Sequence, residues 1–468
     1  MAVPAAAFEV LGYLAVVAVA TVCFLAGWLP VNGAVVLTVI LLATLIVLSW
    51  IHLGQGRHPA LLLLCSLMLF QGGRLIGYCL GGEPDPMRVV AMTPAPFDVS
   101  RHDSGLVLLA LSLSAICIYA PCRWLYRPVA PPCGVEVRKY LPYLYILFVA
   151  TLPVQLFKNY RYYEYVQQHG GYAFIYLNHA AIASSVPFWV RAIPLISLPV
   201  FVAIFVFERR RFRLYLATAL YFATASLILL LGSRSGPFLL VAALWWVARV
   251  NSLRKTRIVF LATAVMALLM VANVIQVMRQ DEPGANYKFS VARLIISQGA
   301  SLSVTEVAFK YRDLFSPYSG SYLLTGLQDA FVAPDASNYH RGRSLAIDVS
   351  VFLSAANYEY GYGTAGAYIP EAYVGGGMVA VVLVSIALGL GLHAFYRFSG
   401  NALLLFVFAM SLPDIISLPK AGLFDWVSVF LRNCVSFVLL WFGWKVYSLL
   451  LSIRQTPPAD SVPGIVTA

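Results

Sequence analysis

The chain is divided into about twelve runs of mostly apolar residues, each about long enough to cross a bilayer as a helix. The hydrocarbon core of a bilayer needs about 20 residues of helix. The runs lie at residues 8–28, 33–52, 60–80, 105–122, 140–157, 192–207, 214–231, 236–250, 258–278, 368–394, 402–419 and 424–449. We therefore predict an all-α polytopic membrane protein with about twelve transmembrane helices.

Composition supports this fold class and argues against a nucleic-acid-binding protein. The 468 residues are 60% hydrophobic and 11% charged, with a mean hydropathy of +0.80. Soluble domains carry about 25% charged residues. The net charge of +12 is spread over short loops and forms no single basic block, so we interpret it as an orientation signal near anionic lipid headgroups. The seven cysteines show no metal-ligand spacing, and we interpret them as apolar filler.

Three strongly basic segments set the expected orientation. CRWLYRPVAPPCGVEVRK, ERRRFR and RVNSLRKTR follow the fourth, sixth and eighth apolar runs. Because lysine and arginine accumulate in cytoplasmic loops, one alternation of spans places all three in the cytoplasm. Both termini then lie in the cytoplasm, and most acidic residues lie on the outer face.

Two outer segments are long, at residues 158–191 and 279–367. The second is too long for a plain connection, which is typical of a functional loop. Its apolar positions recur at helical spacing, which predicts amphipathic helices on the outer membrane face. A small packed helical cap is the alternative. We treat residues 1–454 as one transmembrane domain and predict that 455–468 is a disordered cytoplasmic tail.

The stretch GSRSGP places Arg234 at the outer turn between the seventh and eighth runs. An arginine drawn towards lipid is costly unless it is paired, and its planar guanidinium matches phosphate oxygens. We therefore consider Arg234 a ligand of a lipid phosphate. The alternative is an interfacial arginine that snorkels to headgroups.

Further arginines fall on or near the same face. They are Arg74, Arg161, Arg191, Arg279, Arg293, Arg312, Arg341 and Arg343. Such cations suit a pyrophosphate held at the membrane surface and could stabilise its charge as it departs.

Arg432 lies inside the last run, and we favour a structural ion pair with Asp414 or Asp425 for it. The acidic pair Glu83 and Asp85 is too common a pattern to indicate a metal, so we expect no metal site and no cofactor.

A second stretch resembles a known family. NYEYGYGTAGAYIPEAYVGGGMVAVVLVSIALGLGLHAF, from 357 to 395, resembles the late segment of bacterial O-antigen polymerases, also called oligosaccharide repeat-unit polymerases. The matching residues are Gly361, Gly363, Glu371, Tyr373, Gly375 and Gly389. GSRSGP resembles the Ser-Arg turn of the same family. Pro370 departs from the family pattern and is expected to break the start of this helix.

The resemblance implies a reaction and a location. The substrates would be undecaprenyl-pyrophosphate-linked oligosaccharides at the periplasmic face of the bacterial inner membrane. The growing glycan would leave one lipid carrier and join the non-reducing-end sugar of an incoming repeat unit, with release of undecaprenyl pyrophosphate. The family also implies a separate chain-length regulator in the membrane. The sequence contains no glycine-rich phosphate loop for a nucleotide sugar.

The implied chemistry assigns roles to particular residues. Arg234 is the first candidate for the pyrophosphate, with Arg191, Arg279, Arg293, Arg341 and Arg343 as a pool. Glu371 is the candidate general base; its alternative is a carboxylate that favours a helix N-terminus. His340 and Glu306 are second choices for the base.

Tyr162 and Tyr163 lie in the tyrosine-rich stretch NYRYYEYVQQHGGYAFIYLNH. They are candidate sugar contacts. The alternative is an interfacial aromatic belt.

Two other functions remain open at this stage. An O-antigen ligase shares the general plan, and such ligases typically have a histidine motif in the large loop, where this chain has YHRGRS. A lipid-linked oligosaccharide flippase would have a similar number of spans. It should line a central cavity with charges deep in several spans.

Overall fold

The fold was analysed in a computed structural model, which describes residues 2–81, 87–89, 97–131, 140–169, 182, 184–208, 210–230, 235–251, 291–328, 341–359 and 366–455. These residues are mostly helical, in agreement with the predicted class. The described strands are a two-residue antiparallel pair, β1 (Arg88–Val89) and β2 (Phe97–Asp98), with Arg88 opposite Asp98.

The helices of the first half are α1 (Ala2–Leu25), α2 (Val31–His52), α3 (Ala60–Phe70), α4 (Gly73–Cys79), α5 (Arg101–Leu125) and α6 (Leu141–Gln168). They are followed by α7 (Phe188–Ala192), α8 (Pro194–Phe207), α9 (Arg211–Leu230) and α10 (Ser235–Val250). Ser100 starts α5, because its hydroxyl accepts a hydrogen bond from the Asp103 N–H at 3.1 Å. This is ordinary N-terminal capping.

The helices of the second half are α11 (Val291–Gln298), α12 (Ser301–Lys310), α13 (Arg312–Phe315), α14 (Ser319–Gln328), α15 (Leu345–Glu359), α16 (Tyr368–Phe398), α17 (Ala402–Ile416) and α18 (Asp425–Gln455). Single 3₁₀ turns cover Ser316–Tyr318 and Leu418–Lys420. Asn401 caps α17 by accepting hydrogen bonds from the Leu403 and Leu404 N–H groups.

The number of spans is only partly tested. Within the described part of the chain, eight helices are long and apolar enough to cross a membrane, or nine if the bent pair α3 and α4 counts as one span. The helix at 236–250 is shorter than a full span, and the run at 258–278 lies outside the described residues. The count of about twelve stays a prediction.

The described residues of the basic segments lie at one end of the helix bundle, which we call the basic end. The Arg249 guanidinium donates to the carbonyl of Gln55, and Trp246 donates to the carbonyl of Arg57. Arg123 pairs with Glu9 at 3.5 Å, which places the start of α1 at this end as well. The positive charge of the basic end comes from arginine and lysine rather than from His58, because burial lowers the pKa of the His58 imidazole to about 3. The opposite end is called the distal end.

The run at 60–80 is a broken helix, which corrects the expectation of one continuous span. Helices α3 and α4 meet at an angle of 63°. A Cβ on Gly73 would lie 2.6 Å from the Ile295 carbonyl oxygen, so the glycine allows α4 to approach α11 closely. The break brings Gln71 to the distal end, where its amide donates to the Pro419 carbonyl at 2.6 Å and accepts from the Thr305 hydroxyl at 2.9 Å.

Helix α16 also differs from the expected single span, because it doubles back. The backbone leaves helical geometry at Gly376 and Gly377. The Ser114 hydroxyl is hydrogen-bonded to both the Tyr368 hydroxyl and the Ser385 hydroxyl. In one straight helix residues 368 and 385 would be about 25 Å apart, which no tyrosine side chain bridges. We therefore describe a short first arm, 368–375, that turns back onto a second arm, 378–398, which is itself long enough to span a membrane.

The described helices of the long segment 279–367 pack together as a cap, which is the alternative considered for this segment. The prediction of an amphipathic helix on the membrane surface is wrong for α12. Every residue from Ser301 to Phe309 is buried. A separate apolar cluster joins α12, α13, α14, α15 and the first arm of α16. Its members are Val304, Val307, Ala308, Phe315, Tyr322, Leu345, Val349, Leu353 and Val374. The cap therefore covers the arm that carries Glu371.

We expect Gly377→Ala to destabilise the protein by about 1–3 kcal/mol, because the φ of 65° and ψ of −156° at this position lie in a region that essentially only glycine occupies. Thermal unfolding in detergent checks this. Gly391→Ala is the matched control, since Gly391 lies in the second arm with open space around its Cα. Equal unfolding temperatures for the two variants would contradict the fold-back.

Candidate functional site

Glu371 lies in the first turn of α16 and is almost completely buried, with 4% of its surface exposed. Helix α16 begins at Tyr368, so Pro370 sits in its first turn and does not break the helix start as expected. The Leu423 N–H donates a hydrogen bond of 2.8 Å to Glu371 Oε2. Glu371 thus contacts the turn between α17 and α18. This contact was not part of the alternative in which Glu371 is only a carboxylate favoured at a helix N-terminus.

A second carboxylate, Asp425, lies beside Glu371. It starts α18 and accepts a hydrogen bond from the Gly422 N–H at 2.7 Å. A Cβ placed on Gly422 would lie 2.9 Å from Glu371 Oε1 and 2.8 Å from Asp425 Oδ1. The two acids therefore face the same point next to Gly422, where an added side chain would force both carboxylates to shift.

Two cation–aromatic contacts lie on the elements that carry Glu371 and Asp425 or pack against them. The Tyr373 ring stacks on Phe309 with centroids 3.6 Å apart, and the Arg312 guanidinium lies 5.4 Å from the Tyr373 centroid. On the other side of the 417–425 turn, Lys420 Nζ lies 4.5 Å from the Phe70 centroid. Exposed Arg312 at the rim offers a fork of donors suited to phosphate oxygens. Aromatic faces suit the apolar faces of sugar rings.

Glu306, a second choice for the base, has a different role in the structure. Arg74 Nη1 lies 3.3 Å from Glu306 Oε2 and donates to the Ser303 hydroxyl at 3.0 Å. Both ionised side chains are buried, with 6% and 0% of their surfaces exposed. The pair joins α4 to α12 and thereby fixes the cap to the broken helix, so Glu306 is an unsuitable proton acceptor.

Two arginines of the predicted pool lie on the cap. Arg341 is exposed, and its guanidinium lies 5.2 Å from the Tyr318 centroid. The next residue, Gly342, donates its N–H to the buried carboxylate of Asp348 at 2.8 Å. Arg343 is half-buried in the same turn. This turn belongs to the unit that covers the Glu371 arm.

Arg191 lies in another part of the bundle. Its Nε is buried and has no hydrogen-bond partner among the described residues. Tyr162 is half-buried on α6, within electrostatic range of Arg191 and with Lys158 Nζ 5.7 Å from its ring centroid. Tyr163 is half-buried on the same helix. Helix α6 packs mainly on α8 and α9, whereas α16 packs mainly on α5, so this group is distinct from the acids.

Several predicted site residues are not placed. Arg234, Arg279 and His340 lie outside the described residues, as does the acidic pair Glu83 and Asp85. Arg293 falls within α11, and its side chain is not described. Helix α9 ends at Leu230 and α10 begins at Ser235.

Arg432 is exposed on α18 and lies within electrostatic range of Asp414; the structural ion pair stays a prediction. Within the part of the chain that the structure describes, no group of three or more histidine, cysteine or acidic side chains could hold a metal ion.

Sequence reasoning did not assign Gly422, Lys420 or Asp425 to the site. All three belong to SLPKAGLFDW, which joins the last two spans. This short turn combines proline, glycine and two charges of opposite sign between apolar helices. This composition could have marked the turn as a candidate site. Nothing in the sequence indicates that the turn contacts Glu371, about fifty positions earlier.

A comparison with known families agrees with the resemblance seen in the sequence. The family model described as O-antigen polysaccharide polymerase Wzy matches residues 10–448 of the chain. No match was found among curated proteins or among solved structures. The match includes Glu371, Gly422, Asp425 and the whole cap.

Proposed function

Because this chain belongs to the O-antigen polysaccharide polymerase family, we propose that it extends a glycan from undecaprenyl-pyrophosphate-linked repeat units at its distal end. The observation that carries this assignment is the buried carboxylate of Glu371, with the exposed carboxylate of Asp425 beside it at Gly422. A polymerase of this kind has to activate a sugar hydroxyl next to the membrane. A buried carboxylate that is positioned by a backbone N–H, as Glu371 is by Leu423, suits that task.

The proposed step forms one glycosidic bond and breaks one bond to phosphate. The oxygen of the acceptor sugar hydroxyl attacks the anomeric carbon of the growing chain, and the hydroxyl proton passes to Glu371. The bond between that carbon and the pyrophosphate oxygen breaks, and its electron pair stays on the pyrophosphate. Arg312 at the rim, together with Arg234, stabilises this charge. Arg191, Arg279, Arg293, Arg341 and Arg343 remain the pool of additional cations.

The orientation follows from the distribution of basic residues. We assign the basic end to the cytoplasm, since arginine and lysine accumulate there. Both termini then lie inside, and the distal end with its cap faces the periplasm of the bacterial inner membrane. In this arrangement a chain-length regulator in the same membrane has access to the cap.

The test uses the purified full chain in lipid nanodiscs with a lipid-linked repeat unit and no other protein. We expect a ladder of longer glycans and released undecaprenyl pyrophosphate, both unchanged by a metal chelator. A ladder that is lost with the chelator would move the site towards Glu83 and Asp85. The absence of any ladder with matched substrate would contradict polymerisation, and transfer to lipid A-core or transbilayer movement would then be measured.

A further inference from the structure

An apolar groove runs between α1, α2 and α5 and has a volume of about 210 Å³. It extends from Phe24, Ala34 and Gly105 near the distal end to Tyr13, Thr44 and Ser112 deeper in the bundle. Its rim is exposed at Val16 and Ile40, with 58% and 55% of their surfaces accessible. In a membrane this groove therefore opens sideways to lipid.

The groove offers apolar contact along its length. The Thr21 hydroxyl donates to the Val17 carbonyl at 2.8 Å, and the Thr38 hydroxyl donates to the Ala34 carbonyl at 3.0 Å. These bonds satisfy two of the polar groups in the wall within their own helices. The remaining lining is mostly Ala, Val, Leu and Ile, which are suited to a hydrocarbon chain.

An arginine lies at the distal mouth of this groove. The Arg101 guanidinium lies 4.9 Å from the centroid of Phe24, a residue of the groove wall. Its Nε and Nη2 donate to the backbone carbonyls of Phe24 and Leu29, at distances of 2.6–3.2 Å. No carboxylate of the described chain lies within ion-pair distance of it. Among the described residues, no hydrogen bond is formed by Nη1, whose two N–H groups can donate to a ligand.

The mouth adjoins the proposed reaction site. Asp103 lies in the same first turn of α5 as Arg101 and within electrostatic range of Tyr373. The Tyr373 ring stacks on Phe309 next to Arg312. A lipid whose tail enters the groove would therefore place its headgroup on the side of Tyr373, which lies on the same arm of α16 as Glu371.

We propose that this groove holds the tail of a polyprenyl pyrophosphate substrate, with Arg101 bound to its phosphate. The proposal rests on the proposed function and adds the place where one lipid carrier binds. A long apolar tail next to a negative headgroup matches a lipid-facing apolar groove whose mouth carries a cation that has no counter-ion in the described part of the chain. The groove takes the part of the tail nearest to the pyrophosphate.

The test measures binding of undecaprenyl pyrophosphate to the full chain in zwitterionic nanodiscs. We expect Ala20→Phe, which fills the groove, and Arg101→Gln, which removes the charge, each to weaken binding about tenfold or more. Ala18→Phe is the matched control, because Ala18 is exposed on the same helix and is not part of the groove. It should bind as the unchanged protein does.

Two results would overturn the inference. One is unchanged binding by both Ala20→Phe and Arg101→Gln. The other is full displacement by phosphatidylglycerol at equal concentration, which would make the groove an ordinary phospholipid site. Failure of the proposed function would give a different result from failure of this lipid site. The lipid would still bind in the groove, and both variants would weaken its binding, but no glycan ladder would form. A normal ladder with groove-independent binding would leave the function intact and remove only this site.

Discussion

Glu371→Gln is expected to lower the rate of polymerisation by about 10²–10⁴-fold while the protein stays folded, because it removes the proton acceptor and little else. The glutamine side-chain oxygen can still accept the hydrogen bond that the Leu423 N–H donates to Glu371 Oε2 at 2.8 Å. Its amide group can donate to Asp425 on the other side of Gly422. The measurement is the initial rate of ladder formation, with equal amounts of purified protein.

A matched control separates the loss of a proton acceptor from the general effect of changing a buried glutamate to glutamine. Glu208 is buried to the same extent, with 4% of its surface exposed, and accepts hydrogen bonds from the Tyr145 hydroxyl and the Arg210 N–H at the basic end. Glu208→Gln should leave the rate within a few-fold of the unchanged protein. If Glu371→Gln polymerises as well as this control, Glu371 is a structural residue that only fixes the 421–425 turn.

Glu306→Ala is expected to lower the free energy of unfolding by about 3–5 kcal/mol, because it removes a buried carboxylate that pairs with the buried guanidinium of Arg74. The two groups lie 3.3 Å apart with almost no exposed surface. The double variant Arg74→Met and Glu306→Leu should recover most of this loss, since an apolar pair of similar volume leaves no buried charge. Denaturant unfolding in detergent provides the comparison.

An exposed ion pair in the same protein is the reference. Arg161 and Glu164 are 2.6 Å apart, and their side chains are 46% and 33% exposed. Glu164→Ala should cost less than about 1 kcal/mol. A similar small loss for Glu306→Ala would show that the cap does not depend on its buried pair.

The sequence was sufficient to predict the helices that follow from local patterns. Apolar runs predicted most of the spans, and Ser100 and Asn401 begin helices as capping residues do. The doubling back of α16 was not predicted, because the run from 368 to 394 has the composition of one long span. Gly376 and Gly377 are the only local sign of the break, and glycines also occur within ordinary membrane helices.

The site was predicted in part. Glu371 was identified from the resemblance, and the structure adds that it is buried against Leu423. Its neighbour Asp425 was considered only as a partner of Arg432, because sequence spacing gives no information about contacts between distant segments. Glu306 was a candidate base until its pairing with Arg74 was known, a contact between residues more than two hundred positions apart.

The contact between Glu371 and Leu423 has a consequence for the order of folding during synthesis. The first arm of α16 leaves the ribosome before α17 and the turn at 421–425, so its carboxylate has no backbone partner when it first enters the membrane. The arm reaches its final surroundings only after the last two helices begin to insert. In a nascent chain that ends before Leu423, Glu371 would lack the backbone N–H that Leu423 donates to it. The surroundings of Glu371 are thus among the last parts of the protein to be completed.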